Sequence, residues 1–184
     1  MSRSQRATRI LLIGMMGSGK SSVGRALAER TGWPFLDNDA LVERATGRTA
    51  RQLLADEGEA RLREAESAAL GAGLALDPPA IIGVAGGVLL DPDDRDRIDH
   101  GGFVVWLSAS PEVLAGRAAG AEHRPWLDTD PVGWFRQTMA DRSPLYAEVS
   151  DLEIDTAETT PAQAADAIVA KLAAVAEGSL PSVS

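Results

Sequence analysis

The sequence predicts an α/β protein with a parallel sheet covered by helices on both faces. Short apolar runs alternate with longer segments of helical periodicity along most of the chain. Two of the runs, Arg9 to Ile13 and Phe103 to Leu107, are almost wholly apolar, which is typical of strands buried on both faces of a sheet. The length of 184 residues suits one substantial core. We therefore predict one domain, 1–184, with a core over 9–176 and frayed tails at 1–7 and 177–184.

The composition limits the partners that the chain is expected to have. Lys and Arg total 18 against 27 Asp and Glu, so the net charge of −9 disfavours general binding to nucleic acid or to an anionic membrane. The absence of cysteine excludes disulfides and thiolate metal sites, and it suits a reducing cytoplasm. We find no apolar run of ~20 residues and expect no secretory leader. We expect a cytoplasmic protein.

A glycine-rich motif follows the first predicted strand. Residues 14–21 read Gly-Met-Met-Gly-Ser-Gly-Lys-Ser, the G-x-x-x-x-G-K-[ST] pattern, and a helix follows that Gly32 ends. Glycines let the backbone fold closely around a polyphosphate beside the positive end of the helix dipole. Lys20 would reach the β- and γ-phosphates, and Ser21 would ligate Mg²⁺. The residues predicted to bind nucleotide here are Gly14, Gly17, Ser18, Gly19, Lys20, Ser21 and Ser22.

The second predicted strand ends in two carboxylates. Asp37-Asn38-Asp39 closes the run from Pro34 and precedes a helix over 40–46. Ligands of open parallel sheets gather at this end of the strands. One carboxylate could hold Mg²⁺ through water, and the other could orient and deprotonate an acceptor hydroxyl. The alternative is a helix N-cap, for which Asp and Asn are favoured, and Asp39 could serve both purposes.

Residues 49–76 are rich in Ala, Leu, Glu and Arg, which predicts short helices broken at Gly58 and Gly71. Arg63 lies within this block among several glutamates. On these residues alone, its simplest interpretation is a solvated helix face with ion pairs.

Two glycines follow the third predicted strand, which runs from Pro79 to Val84. Gly86 and Gly87 would allow the backbone to approach a ligand closely, although a tight strand-to-helix turn would require the same residues. Further along, the pattern breaks between 118 and 131 into Gly, His, Pro and acidic residues. That segment is either a surface loop or a mobile lid.

The segment Arg142 to Tyr146, which reads Arg-Ser-Pro-Leu-Tyr, ends a predicted helical stretch. An arginine there could fork two N–H groups onto a carboxylate or phosphate, or it could cap the helix C-terminus. A last strand at 152–154 and a helix from 161 to 176 complete the pattern. Neither His100 nor His123 has metal-ligand spacing, and no Ser-His-Asp hydrolase arrangement has local support.

The order of these motifs resembles the shikimate kinase family from about residue 9 to about residue 169. The shared series is the phosphate loop, Asp-x-Asp, Thr-Gly-Arg, Gly-Glu followed by Arg and Glu, Gly-Gly after a strand, Arg-Pro, and Arg-x-Pro-Leu-Tyr. The resemblance implies a phosphate-loop kinase related to the nucleoside monophosphate kinases, with a three-layer α/β/α fold and a five-stranded parallel sheet. It also implies a helical substrate-binding insertion over about 38–76 and a lid over about 116–130.

The resemblance also assigns roles to residues. It implies Asp37 near Mg²⁺, Asp39 on the acceptor hydroxyls, and Gly86 with Gly87 beside the substrate. It implies that Arg63, supported by Glu66, and Arg142 hold a substrate carboxylate, in contrast to the solvated face. Arg117 and the lid residue Arg124 would contact the nucleotide. The residues implied in catalysis are Lys20, Asp39 and Arg124.

The chain departs from the family pattern at a few positions. It has Ala85 where a third glycine is usual, Leu54 and Leu62 where aromatic residues often line the pocket, and Trp126 where the lid usually has Leu. The expected reaction is ATP-dependent phosphorylation of shikimate to shikimate 3-phosphate. The alternatives are a kinase of the same fold for another hydroxy acid or polyol such as gluconate, and a nucleotide-binding paralogue with weakened catalysis.

Overall fold

The computed structural model describes residues 8–119 and 129–177, which form one five-stranded parallel sheet with helices on both faces. The strands are β1 (Arg9–Ile13), β2 (Phe35–Asp37), β3 (Ala80–Gly83), β4 (Phe103–Ser108) and β5 (Leu152–Asp155). The helices are α1 (Lys20–Thr31), α2 (Asn38–Thr46), α3 (Ala50–Leu74), α4 (Pro92–Gly101), α5 (Pro111–Ala118), α6 (Pro131–Val149) and α7 (Pro161–Glu177). The predicted fold class and the five parallel strands are confirmed.

The strand order β2-β3-β1-β4-β5 places β1 at the centre of the sheet. The chain moves to one side of β1 for β2 and β3, and to the other side for β4 and β5. Every pairing in the sheet is parallel, so all five strands end at the same edge. Ligands of such sheets bind at this edge, beside the strand at which the winding direction changes. The glycine-rich loop after β1 lies at that point.

Two apolar layers cover the sheet, one on each face. Alternate side chains of β1 divide between them: Ile10 and Leu12 pack with α1 and α7, while Leu11 and Ile13 pack with α3 to α6. This alternation is the period of a strand, and burial on both sides explains why β1 is an unbroken apolar run. The central strand is therefore fixed from both faces, and the loop that follows it has a rigid support.

A smaller apolar cluster joins α2 and α3 beside the main core. Its buried members include Val42 of α2 and Leu53, Leu62 and Ala65 of α3. The predicted break at Gly58 is confirmed, because this residue has φ 86° and ψ 177° inside α3. The predicted break at Gly71 is wrong, since the helix continues to Leu74. Packing of Leu70 and Gly73 against the sheet holds this last part of α3 helical.

The helix that bears Arg142 is longer than the sequence predicts. We expected it to end within Arg142 to Tyr146, a segment that contains Pro144, whose ring crowds the preceding turn. Instead, α6 runs to Val149 with Pro144 inside it. Burial of Tyr146 and Val149 in the core stabilises the turns beyond the proline. Among the described residues, no helix is both long and apolar enough to cross a membrane.

Candidate active site

A cleft of about 930 Å³ opens at the carboxyl edge of the sheet. Its walls come from the loop after β1, the start of α2, both parts of α3, the turn after β3, and α6. The residues predicted from three separate motifs, Lys20, Asp39 and Arg63 among them, line this one cleft. The fold therefore gathers motifs that are far apart in the sequence.

The glycine-rich loop needs glycine at both of its ends. Gly14 has φ +141°, and a Cβ there would collide with the carbonyl oxygen of Leu107 on the neighbouring strand. Gly19 is the N-cap of α1 with φ +93°. These backbone conformations are strained for any residue with a side chain. They turn the chain sharply from β1 into α1 and place the helix N-terminus at the cleft.

Lys20, the first residue of α1, bridges back across the loop. Its Nζ donates hydrogen bonds to the carbonyl oxygens of Gly14 at 2.8 Å and Met15 at 3.0 Å. Desolvation lowers the pKa of Lys20 to about 8, although the negative charges of Asp39 and Asp37 oppose the shift. The ammonium group is thus held in a site where an added anion would stabilise its charge.

Asp37 joins the glycine-rich loop to α2. Its Oδ2 accepts a hydrogen bond from the Ser21 hydroxyl at 2.5 Å, and its Oδ1 accepts one from the backbone N–H of Asp39 at 3.1 Å. Asp37 is therefore the N-cap of α2, and it also meets Ser21 inside the cleft. The capping interpretation and the functional one are thus compatible for Asp37. Asp39 lines the cleft as well.

Arg63 lies over the turn after β3 and is held by two carboxylates. Its Nη1 donates to Glu66 Oε2 at 2.6 Å, and its Nη2 donates to Glu59 Oε1 at 2.9 Å. Burial alone would lower the pKa of Arg63, but Glu66 and Glu59 raise it above its usual value. Burial raises the pKa of Glu66 despite the opposing charge of Arg63. A Cβ on Gly87 would collide with the Arg63 guanidinium, so Gly87 provides the space that this side chain occupies.

Arg142 and Tyr146 lie one turn apart on α6, which forms part of the cleft wall. Arg142 lines the cleft, whereas Tyr146 is fully buried beneath it. The Tyr146 hydroxyl donates to the carbonyl oxygen of Gly86 at 3.2 Å and contacts Met15 Sδ at 3.5 Å. Burial raises the pKa of Tyr146, which keeps the phenol protonated as a donor. Tyr146 thus fixes the turn after β3 relative to the glycine-rich loop.

Arg117 connects α5 to the glycine-rich loop and to the segment after β5. Its Nη1 donates to the carbonyl oxygen of Gly17 at 3.2 Å and to Thr156 Oγ1 at 2.9 Å. The buried Thr156 hydroxyl also lies 3.1 Å from the carbonyl oxygen of Ser18. These contacts place Arg117 beside the loop that is predicted to bind phosphates.

The structure brings most of the predicted site residues to one cleft, and Arg124 lies outside the described residues. The predicted residues that line the cleft are Gly17, Gly19, Lys20, Ser21, Ser22, Asp37, Asp39, Arg63, Gly86, Gly87, Arg117 and Arg142. Gly14 and the buried Ser18 belong to the same loop but do not line the cleft, and they pack against the protein interior. Ala85, the departure from the family pattern, fits the turn without strain, because no described residue other than glycine has a positive φ.

Several residues of the cleft were not predicted. Glu59, Trp134 and Thr138 line it. The spacing of Glu59 four residues before Arg63 indicates an ion pair on a helix.

A parallel sheet with a phosphate-binding loop after its central strand and two arginines in the same cleft defines a phosphate-loop kinase of small molecules. The family model for shikimate kinase matches residues 16–173. A shikimate kinase of Symbiobacterium thermophilum is 43% identical over 150 residues, which cover 80% of this chain and 86% of that protein. The chain belongs to the shikimate kinase family.

Solved structures agree with this assignment. The shikimate kinase of Acinetobacter baumannii, determined in complex with shikimate, superimposes with a TM-score of 0.83 and 31% identity, covering 96% of this chain and 97% of that one. A gluconokinase of Sinorhizobium meliloti gives a TM-score of 0.65 and 25% identity, covering 95% of this chain and 96% of that one. The closer fit is to the shikimate kinase, and the two alternative functions gain no support.

Proposed function

We propose that the protein transfers the γ-phosphoryl group of ATP to a hydroxyl of shikimate, which yields shikimate 3-phosphate. The observation that carries the proposal is the position of Arg63 and Arg142 in the same cleft as the phosphate-binding loop. Two guanidinium groups there favour a substrate with a carboxylate, because Arg forms paired hydrogen bonds to carboxylates. Shikimate carries both a carboxylate and the acceptor hydroxyl.

The chain's own residues supply positioning and charge. The loop of residues 14–21 would hold the polyphosphate with its backbone N–H groups, and Lys20 Nζ would exchange its two carbonyl partners for phosphate oxygens. Asp39 would orient the acceptor hydroxyl and accept its proton. Because Arg63 and Arg142 would fix the acid end of the substrate, only one hydroxyl would face the loop.

The Ser21 hydroxyl and the Asp37 carboxylate would hold Mg²⁺, and their hard oxygen donors already meet in the cleft. The described residues hold no cluster of three or more His, Cys, Asp or Glu side chains that could bind a metal alone. This fits Mg²⁺, which proteins hold with few side chains together with substrate phosphates and water. When bound, the ion would neutralise charge on the transferring phosphoryl group.

Two segments would complete the site around the substrates. Residues 38–76, which include α2 and α3, would form the substrate-binding region, because they supply Asp39 and Arg63 to the cleft. Residues 116–130 would form a lid that brings Arg124 to the phosphates, with Arg117 at its base. Closure would exclude water and suppress hydrolysis of ATP.

We further propose that the enzyme works as a monomer in the cytoplasm, without a nucleic acid or membrane partner. The net charge of −9 supports the absence of nucleic acid and membrane partners, because an acidic protein is repelled by polyanions and anionic lipids. The lack of cysteine is compatible with a reducing compartment.

The first experiment is an ADP-release assay with Mg-ATP that compares shikimate, gluconate and a neutral cyclitol at equal concentration. We expect turnover with shikimate and background rates with the other two. The Lys20→Ala variant should lose most turnover while its melting temperature is retained. ATP binding without turnover of shikimate would contradict the proposal.

A further inference from the structure

Arg63 shares its two terminal nitrogens between two carboxylates of very different exposure. Glu66, which accepts from Nη1, has a side chain only 7% exposed, whereas the side chain of Glu59, which accepts from Nη2, is 66% exposed. Arg63 itself lies between these values at 31%. The two ion pairs therefore differ in how easily each can be broken.

The Glu66 pair is a fixed part of the site. Releasing the Arg63 guanidinium would leave a buried carboxylate without its partner, which is strongly destabilising. The backbone of Gly87 lies against the guanidinium and limits its movement on that side. Arg63 is therefore held in place whether or not Glu59 is bound to it.

The Glu59 pair can open at small cost. Glu59 follows Gly58, whose non-helical backbone interrupts α3, so Glu59 lies in the first turn of the second part of the helix. A carboxylate in that turn is stabilised by the helix dipole even without a partner. Because the side chain is mostly in water, rotation away from Arg63 desolvates nothing, and exposed pairs of this kind contribute little to stability.

We propose that Glu59 is an internal competitor of the substrate carboxylate: it occupies Nη2 of Arg63 in the empty cleft and rotates into solvent when substrate binds. The inference rests on the proposed function, since it requires a substrate carboxylate at Arg63. Glu59 thereby lowers the affinity for substrate. It is a residue that sets specificity, because a ligand without a carboxylate can replace the charged hydrogen bond that Glu59 gives up only with a weaker, neutral one.

The proposal predicts a gain of affinity where a substrate-binding role for Glu59 would predict a loss. In Glu59→Gln, the competing charge is removed, so the Kd for shikimate should fall about two- to fivefold, the range expected for loss of one exposed ion pair. The Glu59→Asp variant keeps the charge but is one methylene too short to reach Nη2 in the same way. It should bind shikimate as tightly as Glu59→Gln does.

The experiment is calorimetric titration of shikimate into the whole protein and its variants. Glu64→Gln is the matched control, because Glu64 lies on the same helix, loses the same charge, and pairs with Arg61 at 3.3 Å instead of Arg63. Its Kd should equal that of the wild type. Steady-state kinetics should show a lower KM for shikimate in Glu59→Gln and an unchanged KM for ATP.

The contrary outcomes are distinct. Weaker or unchanged binding in Glu59→Gln overturns the inference, and so does wild-type affinity in Glu59→Asp, which would indicate a field effect rather than displacement. If the wild type neither binds nor phosphorylates shikimate, the proposed function fails first and the inference falls with it. Turnover by the wild type with no gain in Glu59→Gln overturns the inference alone.

Discussion

At the scale of single residues, the lowered pKa of Lys20 is expected to make nucleotide binding depend on pH. Its lowered pKa of about 8 means that the empty enzyme loses this positive charge as the pH rises through 8, well below the usual value of 10.5. Bound phosphates would favour the charged form. We therefore predict that kcat/KM for ATP, which reports the enzyme before ATP binds, falls above about pH 8. A pH profile measured at saturating shikimate tests this, and a flat profile up to pH 10 would contradict it.

Asp39 allows the proposed chemistry to be separated from helix capping. Because Asp37, and not Asp39, caps α2, the Asp39→Asn substitution should leave the helix intact. It removes the proton acceptor of the proposed reaction, so we predict that kcat falls by a factor of about 10² to 10⁴. Stopped-time ADP assays measure the rate, and thermal denaturation checks that the fold is kept. A variant with near-normal kcat would remove Asp39 from the mechanism.

The sequence could predict that residues of a contiguous motif lie at the cleft, but it could not predict the residues that are placed by distant contacts. Lys20 and Ser21 belong to a contiguous pattern with a chemical reason for each position. Arg63 looked like a surface residue until the resemblance placed it, because its burial depends on Gly87, which lies on another element. Tyr146 could be read as part of a motif, but its hydrogen bond to Gly86 depends on the packing of α6 against the sheet.

At the scale of elements, the turn after β3 sets the position of a helix residue. Gly87 has φ −82° and ψ −18°, which alanine adopts without strain, so Gly87→Ala tests space alone. The added methyl group would displace the Arg63 guanidinium. We predict that KM for shikimate rises about tenfold, as expected when a charged hydrogen bond is lost, while KM for ATP stays within about twofold.

Gly116→Ala is the matched control for this substitution. Gly116 lies in α5, and a Cβ there would have no neighbour within 4 Å. Kinetic constants should be unchanged, and stability should rise slightly because Ala favours helix more than Gly. An equal effect of the two substitutions on shikimate, or an effect of Gly87→Ala on ATP alone, would show that Gly87 does not act through Arg63.

Helix boundaries show where local patterns mislead at this scale. Gly71 and Pro144 are ordinary breakers, yet both lie inside continuous helices. Their helices are held by burial of nearby residues in the sheet-facing core, a long-range effect that overrides a local preference of about 1 kcal/mol for Gly and about 3 kcal/mol for Pro. Gly58 differs because its kink faces open space, so no packing opposes it.

At the scale of the whole molecule, the carboxyl ends and the amino ends of the strands contribute to different properties, catalysis and stability. The cleft lies at the carboxyl edge. Buried charges there, such as those of Lys20 and Glu66, are desolvated, which lowers the free energy of unfolding, but they supply the ionisable groups of the cleft. The opposite edge carries Arg9, the first residue of β1, which is only 6% exposed. This separation follows from parallel strands, because all of their carboxyl ends lie on one side. Substitutions at the opposite edge should therefore change stability without changing catalysis.

Arg9 provides the test. Its Nη1 donates to the carbonyl oxygen of Gly101 at 3.1 Å and its Nη2 to that of Leu76 at 2.5 Å, so it satisfies carbonyls near the ends of α3 and α4. Arg9→Met keeps an apolar stem but leaves these groups unpaired. We predict a loss of about 2–3 kcal/mol in the free energy of unfolding and a fall of about 5–10 °C in Tm.

The matched control for the loss of stability is Arg30→Met. Arg30 pairs with Asp166 at the surface, where both side chains are about half exposed, so its loss should cost less than about 1 kcal/mol. Because Arg9 lies at the edge away from the cleft, KM for shikimate and for ATP should match the wild type in both variants at a temperature below either Tm. A change in either KM in Arg9→Met would mean that the two edges are coupled through β1, since the phosphate-binding loop begins where that strand ends.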